Sequence, residues 1–423
     1  MGEVLIDLGE PGHAPDRPAR RRPVSYRVPL GLLALALVAL VGGAGHLGPP
    51  IAPTVIPARL GDTVLVDGNL MFLAGSGPAV LGTDVENRTV AVYALPEAKL
   101  LSRTTVAVSG AISQVRVAGD ILLVEYQIDT NSAWAVVALP VGADRALWRH
   151  SGRLSGASVA DGLALVDDLD GKVALDLRTG RDRWRVPAPA DVYIAEAGGT
   201  TEYPQWLVGV TAGGRLEVRD ARTGRVLASA EVEKGGDGIS PVGDLVLVDG
   251  PAPGIAAYRL PALTKVWQSA TDLPPTWMRT DCGDLVCVFT GQRAMTALDT
   301  ATGRARWQSD QWGYAEPAGD RLITTLGVEP DGRPQIWVAD RLTGQSLGNF
   351  GHWHYLGEAA GGTLYGQYAV DDGYTVVYGH LDPATLRTRV LGHLDRVSGN
   401  CQTGGGALIC RLVDASVVVT SLG

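Results

Sequence analysis

The chain has 423 residues, 46% hydrophobic and 19% charged, enough to bury more apolar surface than one ordinary core holds. Its net charge of −9 excludes nucleic acid as the main partner, because phosphate binding needs a basic surface. The 55 glycines and 25 prolines follow no collagen-like period and no long polar tract, which excludes a fibrous or disordered chain and favours many short strands joined by turns.

Residues 1–28 read as a disordered cytoplasmic tail, rich in Pro, Arg and Ala beyond the opening "MGEVLIDLGE". Val4 to Glu10, "VLIDLGE", is apolar enough to dock a cytoplasmic partner; the plainer reading is a tail that only fixes topology. Residues 29–48 are expected to form a single transmembrane helix, since positions 30–47 hold eighteen residues without Asp, Glu, Lys or Arg. Arg20, Arg21, Arg22 and Arg27 precede it and place the N-terminus inside, with everything after it outside. A cleaved signal peptide competes through the small residues Gly42 to Gly45, but the region before the apolar run is longer than such a signal needs. Residues 49–59 are a linker and 60–423 an extracytoplasmic domain. The tail carries five Arg and four acids, net +1 against −9 for the whole chain, which leaves −10 outside. That exterior should avoid anionic lipid head groups. Only four basic residues are lysine, a skew that gives a single arginine little functional weight.

Beyond the linker the chain repeats itself. "ALDTATGRARWQ" (297–308) and "VALDLRTGRDRWRVP" (173–187) share one frame, Asp299, Gly303 and Trp307 in the first and Asp176, Gly180 and Trp184 in the second. Partial copies keep Asp220, Thr223 and Gly224, with Leu227 near the tryptophan's place, and Asp340, Thr343 and Gly344. Looser copies centre on Leu95, Leu139, Leu260 and Asp382, and neighbouring centres lie about 41 residues apart. Each unit holds two apolar alternating runs before its centre and one after, separated by Gly, Asp and Pro turns. The expected fold is therefore all-β, an eight-bladed propeller of four-stranded antiparallel blades, with seven blades as the alternative. The terminal strands around 62–68 and 405–422 are read as shared closure strands. In the copy at 297–308 Asp299 is expected to accept hydrogen bonds from the amides of its turn, Gly303 to take a positive φ, and Trp307 to pack on the next blade.

The pattern Ala-Leu-Asp, Thr-Gly, Trp resembles the repeat of the pyrroloquinoline-quinone-type, or quinoprotein, propellers, and covers roughly 60–422. This family includes a non-enzymatic outer-membrane assembly lipoprotein branch. The resemblance implies tryptophan docking between blades, carried here by Trp148, Trp184, Trp267 and Trp307. Enzymatic members hold the quinone (PQQ) beside adjacent cysteines, with calcium bound by acidic and amide side chains. No adjacent cysteines occur here, so neither PQQ nor calcium is expected.

Cys282 with Cys287, and Cys401 with Cys410, form two near pairs in which the second Cys follows a Gly-containing turn. Local disulfides are the expected pairing among three connectivities, and they belong outside the cytoplasm. A zinc site fits the spacings less well. Other candidates are thin. His352 and His354 stand two apart as metal ligands could, and Asp168 and Asp170 crowd oxygens as a calcium turn does; surface histidines and a plain hairpin are the ordinary readings. Aromatics gather between Trp312 and Tyr378, either as a recognition face or as packing between blades. The sequence thus points to a non-catalytic, membrane-anchored scaffold that binds an envelope protein or small ligand. A quinoprotein-like oxidoreductase is the alternative, and an envelope carbohydrate or peptide sensor signalling through the tail a second.

Overall fold

The computed structural model describes residues 52–423 apart from 78–84, 129–132, 189–191, 200–201, 234–237, 251–253, 270, 272, 274–277, 292–293, 326–334, 359–362 and 371–372. Its strands form nine four-stranded antiparallel sheets. Blades 1 to 8 run consecutively over 63–108, 112–151, 153–187, 192–231, 239–268, 278–309, 314–349 and 354–394. Blade 9 takes three strands from 397–421 and its outer strand, Thr54–Ile56, from the other end of the described chain. First strands of neighbouring blades adjoin, and that of blade 9 (Val397–Gly404) meets that of blade 1 (Thr63–Asp67), so the ring is closed.

Middle strands explain why the apolar runs look nearly continuous rather than alternating. Leu122, Leu123 and Val124 are all fully buried, as are Val246 and Leu247, because a blade lies against each face of their sheet. Outer strands are wetter, as in Val226–Glu231.

The ring has nine blades, which corrects the expected eight. The excess strands at the two ends are a whole blade. Val397–Gly404, "VSGNCQTG", lacks apolar alternation and is twice bulged against its neighbour, so it does not read as a strand. Ser421 stands where other blades have their turn aspartate, by its pairing with Ala407. The closing strand Thr54–Ile56 lies inside the stretch read as linker. The span expected at 29–48, with the tail before it, lies outside the described residues. Among those residues no helix is long and apolar enough to cross a membrane.

Strand pairing also refines the repeat. Leu298 and Asp299 end a third strand; Ala94, Pro140 and Arg259 hold the aspartate's register in blades 1, 2 and 5, each next to the apolar residue that marks the looser copies. In blade 4 the tryptophan register falls on Ala228, opposite Val218, not on Leu227.

The turn between third and fourth strands is built alike in five blades. Asp299 Oδ1 accepts from the Ala301 and Thr302 amides and the Thr302 hydroxyl at 3.1, 2.9 and 2.8 Å. Asp176, Asp220 and Asp340 repeat this set, and Asp382 repeats it with its hydroxyl bond on the other oxygen. In four of these five turns glycine follows at a left-handed φ, +67° at Gly180 and Gly303.

A second constraint on these glycines comes from the preceding blade. Indoles of Trp148, Trp184, Trp267 and Trp307 lie on Gly180, Gly224, Gly303 and Gly344, where a Cβ would come within 2.4–2.8 Å of the ring. Each indole N–H donates to a carbonyl of the same turn, at Leu177, Arg222, Thr300 and Arg341, over 2.7–2.9 Å. Elsewhere the sizes are exchanged. Between blades 7 and 8 the tryptophan register is Gly348 and the glycine position is Leu386, whose Cδ1 fills the space a Gly348 Cβ would take. Between blades 4 and 5 Ala228 faces Leu263 in the same way. Leu263 and Leu386 hold φ of 55° and 56°, a backbone cost of roughly 1–2 kcal/mol each that burial of the leucine offsets.

Two outcomes follow. Trp307→Ala alone should cost about 3–5 kcal/mol, and Gly344→Leu alone a comparable amount through overpacking. Together they rebuild the exchanged seam, so a double-mutant cycle by urea unfolding should show a favourable coupling of about 1–3 kcal/mol, and strict additivity would refute the seam model. Asp176, Asp299, Asp340 and Asp382 are all held below the ordinary carboxylate value of 3.8, chiefly by hydroxyl donors or, at Asp299, by Arg306. Their depressed folded values mean that stability present above the unfolded carboxylate value, about 3.9, is lost as pH falls through the folded one. Melting temperature should therefore drop steeply below about pH 4, and less so in Asp299→Asn.

Candidate binding site at the ring closure

Polar side chains near the axis are consumed by ties between blades. Arg116 pairs with Asp67 at 3.1 Å and donates to the Glu202 carbonyl at 2.9 Å, joining blades 1, 2 and 4. Buried Glu125 accepts the Ser113 hydroxyl at 2.7 Å and the Leu154 amide at 2.6 Å. Lys172 bridges Asp167 and Glu196, and Arg279 pairs with Asp249 while donating to Ser240 at 3.1 Å. Glu316 accepts from Tyr314 in its own strand and Tyr355 in the next blade. Burial, with the Glu316 charge, pushes the Tyr314 phenol up to about 12 and raises Tyr355 further. All of these groups stabilise seams.

The residues singled out from sequence are scattered. Asp168 accepts the Leu169 amide at 2.7 Å and an Arg185 N–H at 2.8 Å, which closes a hairpin, and Asp170 is an exposed turn residue. His352 is exposed on a connection and His354 begins the first strand of blade 8. Among the described residues no three His, Cys, Asp or Glu are grouped to hold a metal. Cys282–Cys287 and Cys401–Cys410 are disulfides, in blades 6 and 9. The aromatic group divides. Trp312 is buried and donates to the Gly344 carbonyl at 3.0 Å, and Trp353 packs edge-on against Tyr368 at 4.9 Å. Tyr374 alone of the nine is a large exposed surface, at 58%.

Two openings among the described residues flank blade 9. A cavity of about 490 Å³ lies between it and blade 1, lined by Asp62, Val64, Gln402, Arg411, Val417 and the Cys401–Cys410 disulfide among others. A second, of about 390 Å³, lies on the face of blade 8 that looks toward blade 9. The seam between blades 3 and 4 holds only about 110 Å³. At the first cavity the linking segment is stapled down by Arg411, whose guanidinium donates to the carbonyls of Arg59, Asp62 and Ala415. Asp62 accepts the Arg59 amide at 2.7 Å. The rim is apolar. Leu60 is 86% exposed and Val413 45%. Tyr374 joins them on the same end of the ring through Val397 N–H to the Tyr374 carbonyl and Val413 N–H to the Arg396 carbonyl, both 2.8 Å. This rim is not visible from sequence, because Leu60, Tyr374 and Val413 come from distant segments.

The class of protein is thus a nine-bladed β-propeller. No family model matches the chain, and no curated protein does. Solved structures of similar shape include BamB from Moraxella catarrhalis, at 14% identity over 88% of this chain and 97% of that one, TM-score 0.40. The computationally designed Ika8 protein has 14% identity over 75% and 99%, TM-score 0.45. The dihydro-heme d1 dehydrogenase NirN, in complex with DHE, has 14% identity over 75% and 83%, TM-score 0.42. These are likenesses of fold.

Arg411→Ala should lower stability by about 1–3 kcal/mol, since three carbonyls lose a charged donor. Hydrogen exchange should rise first in residues 54–62; exchange spread evenly round the ring would contradict the staple.

Proposed function

We propose that this protein is a non-catalytic binding scaffold of the cell envelope, held at a membrane by the apolar run 30–47, and that it recognises a protein partner at its closing blade. The observation that carries the reading is the exposure of Leu60, Tyr374 and Val413 on one end of the ring at the closing blade, with Leu60 and Val413 close in sequence to Asp62 and Arg411, which line the 490 Å³ cavity. Exposed aromatic and aliphatic side chains around a concavity make good anchors for a partner. Two disulfides support a place outside the cytoplasm. The polar groups near the axis described above close seams, which supports a scaffold of the quinoprotein-like type without a quinone.

The test uses the full chain. Leu60→Glu with Val413→Glu should leave the melting temperature unchanged, because both side chains face water. It should weaken a purified envelope partner's binding by about tenfold or more. Equal binding by the variant would remove the rim from the reading. Dye reduction with alcohols or sugars after adding quinone and calcium would overturn it in favour of an oxidoreductase.

A further inference from the structure

The seam between blades 8 and 9 differs from the other seams in one topological respect. Elsewhere the fourth strand of one blade is covered by the turn between third and fourth strands of the next. Blade 9 has no such turn, because its third strand, Val417–Ser421, and its fourth, Thr54–Ile56, are not consecutive. The face of blade 8 is correspondingly altered. Register places Arg389 where four other blades carry tryptophan, and His380 opposite it where all four carry alanine, Ala138, Ala174, Ala257 and Ala297. The uncovered space is the 390 Å³ cavity, and all its lining residues belong to blade 8.

Its chemistry is one-sided. Arg387 and Arg389 bring two guanidinium groups, and neither forms an ion pair among the described residues. Thr363, Thr385 and Thr388 add hydroxyls. His380 lines the same space, and its buried Nε2 has no hydrogen-bond partner among the described residues. One carboxylate is present, Asp382, and its own turn occupies it: Oδ1 accepts the Ala384 amide at 2.9 Å and Oδ2 the Thr385 hydroxyl at 2.6 Å. Guanidinium pairs suit planar or tetrahedral oxyanions, which accept several N–H bonds at once. The arginine-rich composition gives such residues little weight singly. Their weight here comes from standing in a tryptophan register over a vacated turn.

We propose that this notch is an oxyanion-binding site, taking a carboxylate or phosphate group in the place that a neighbouring blade's turn occupies at other seams. The proposal is independent of the apolar rim, which lies at the opposite end of the ring. Two sources share this chemistry, the acidic side chains of a protein segment and a free phosphate.

Calorimetric titration of the full chain at low salt, with inorganic phosphate and separately with a hexaglutamate peptide, tests it. At least one probe should bind saturably with a stoichiometry near one. Phosphate alone would support the site with a small-anion source, the peptide alone with a carboxylate source, and mutual displacement would support one pocket serving both. Arg389→Gln should weaken binding about tenfold and Arg387→Gln with Arg389→Gln should abolish it, with melting temperatures unchanged because both side chains are exposed. Arg178→Gln, at a guanidinium already paired with Asp120, should bind as the parent does. Absence of saturable binding by either probe, or binding that survives the double variant, would overturn the proposal.

Discussion

The contact on which the ring depends is an indole laid flat on a glycine. A propeller blade cannot bury either face of its sheet alone, and at four seams an indole supplies apolar area and an N–H that the next blade's tight turn must accept. The tryptophan of one blade and the Asp-x-x-Thr-Gly turn of the next fit together there: the carboxylate shapes the turn, the glycine admits both the left-handed backbone and the ring, and a turn carbonyl takes the N–H. Ion pairs from Asp120, Asp161 and Asp284 to Arg178, Arg222 and Arg341 run across the same seams. Being largely exposed, they add little energy and mainly fix direction.

The two exchanged seams show that a large side chain can enter from either blade. Where Gly348 and Ala228 leave room, Leu386 and Leu263 enter from the other side, accepting a left-handed backbone to do so. The order of large and small reverses, with a leucine standing in for the bulkier indole. Close packing at native density requires this, since either large or small residues on both sides would leave a clash or a void.

Much of this was legible in the sequence because it recurs. Asp299, Gly303 and Trp307 announce a turn and a docking indole, and their return in other copies announces blades. The exchanged seams were not legible, because they are a correlation between residues on different blades that no single copy displays. Blade 9 was hidden for a different reason. Its first strand is bulged and polar, Ser421 replaces the marker aspartate, and its last strand lies at the far end of the described chain. The closure cavities inherit that obscurity. Arg389 and His380 look like ordinary strand residues until register shows which neighbours they replace and that nothing of blade 9 lies over them.

Two kinds of seam in one ring act as keys of opposite cut. A blade with an outward tryptophan mates only with a following glycine turn, and one with an outward glycine or alanine only with a following leucine. Blade 4 therefore cannot trade places with blade 3, although both carry the Asp-Thr-Gly turn, and the order of repeats is written into their edges rather than left to the connecting chain. Cutting the ring at a new point preserves every mating pair, whereas shuffling modules does not. The architecture thus tolerates circular permutation but resists recombination of its blades.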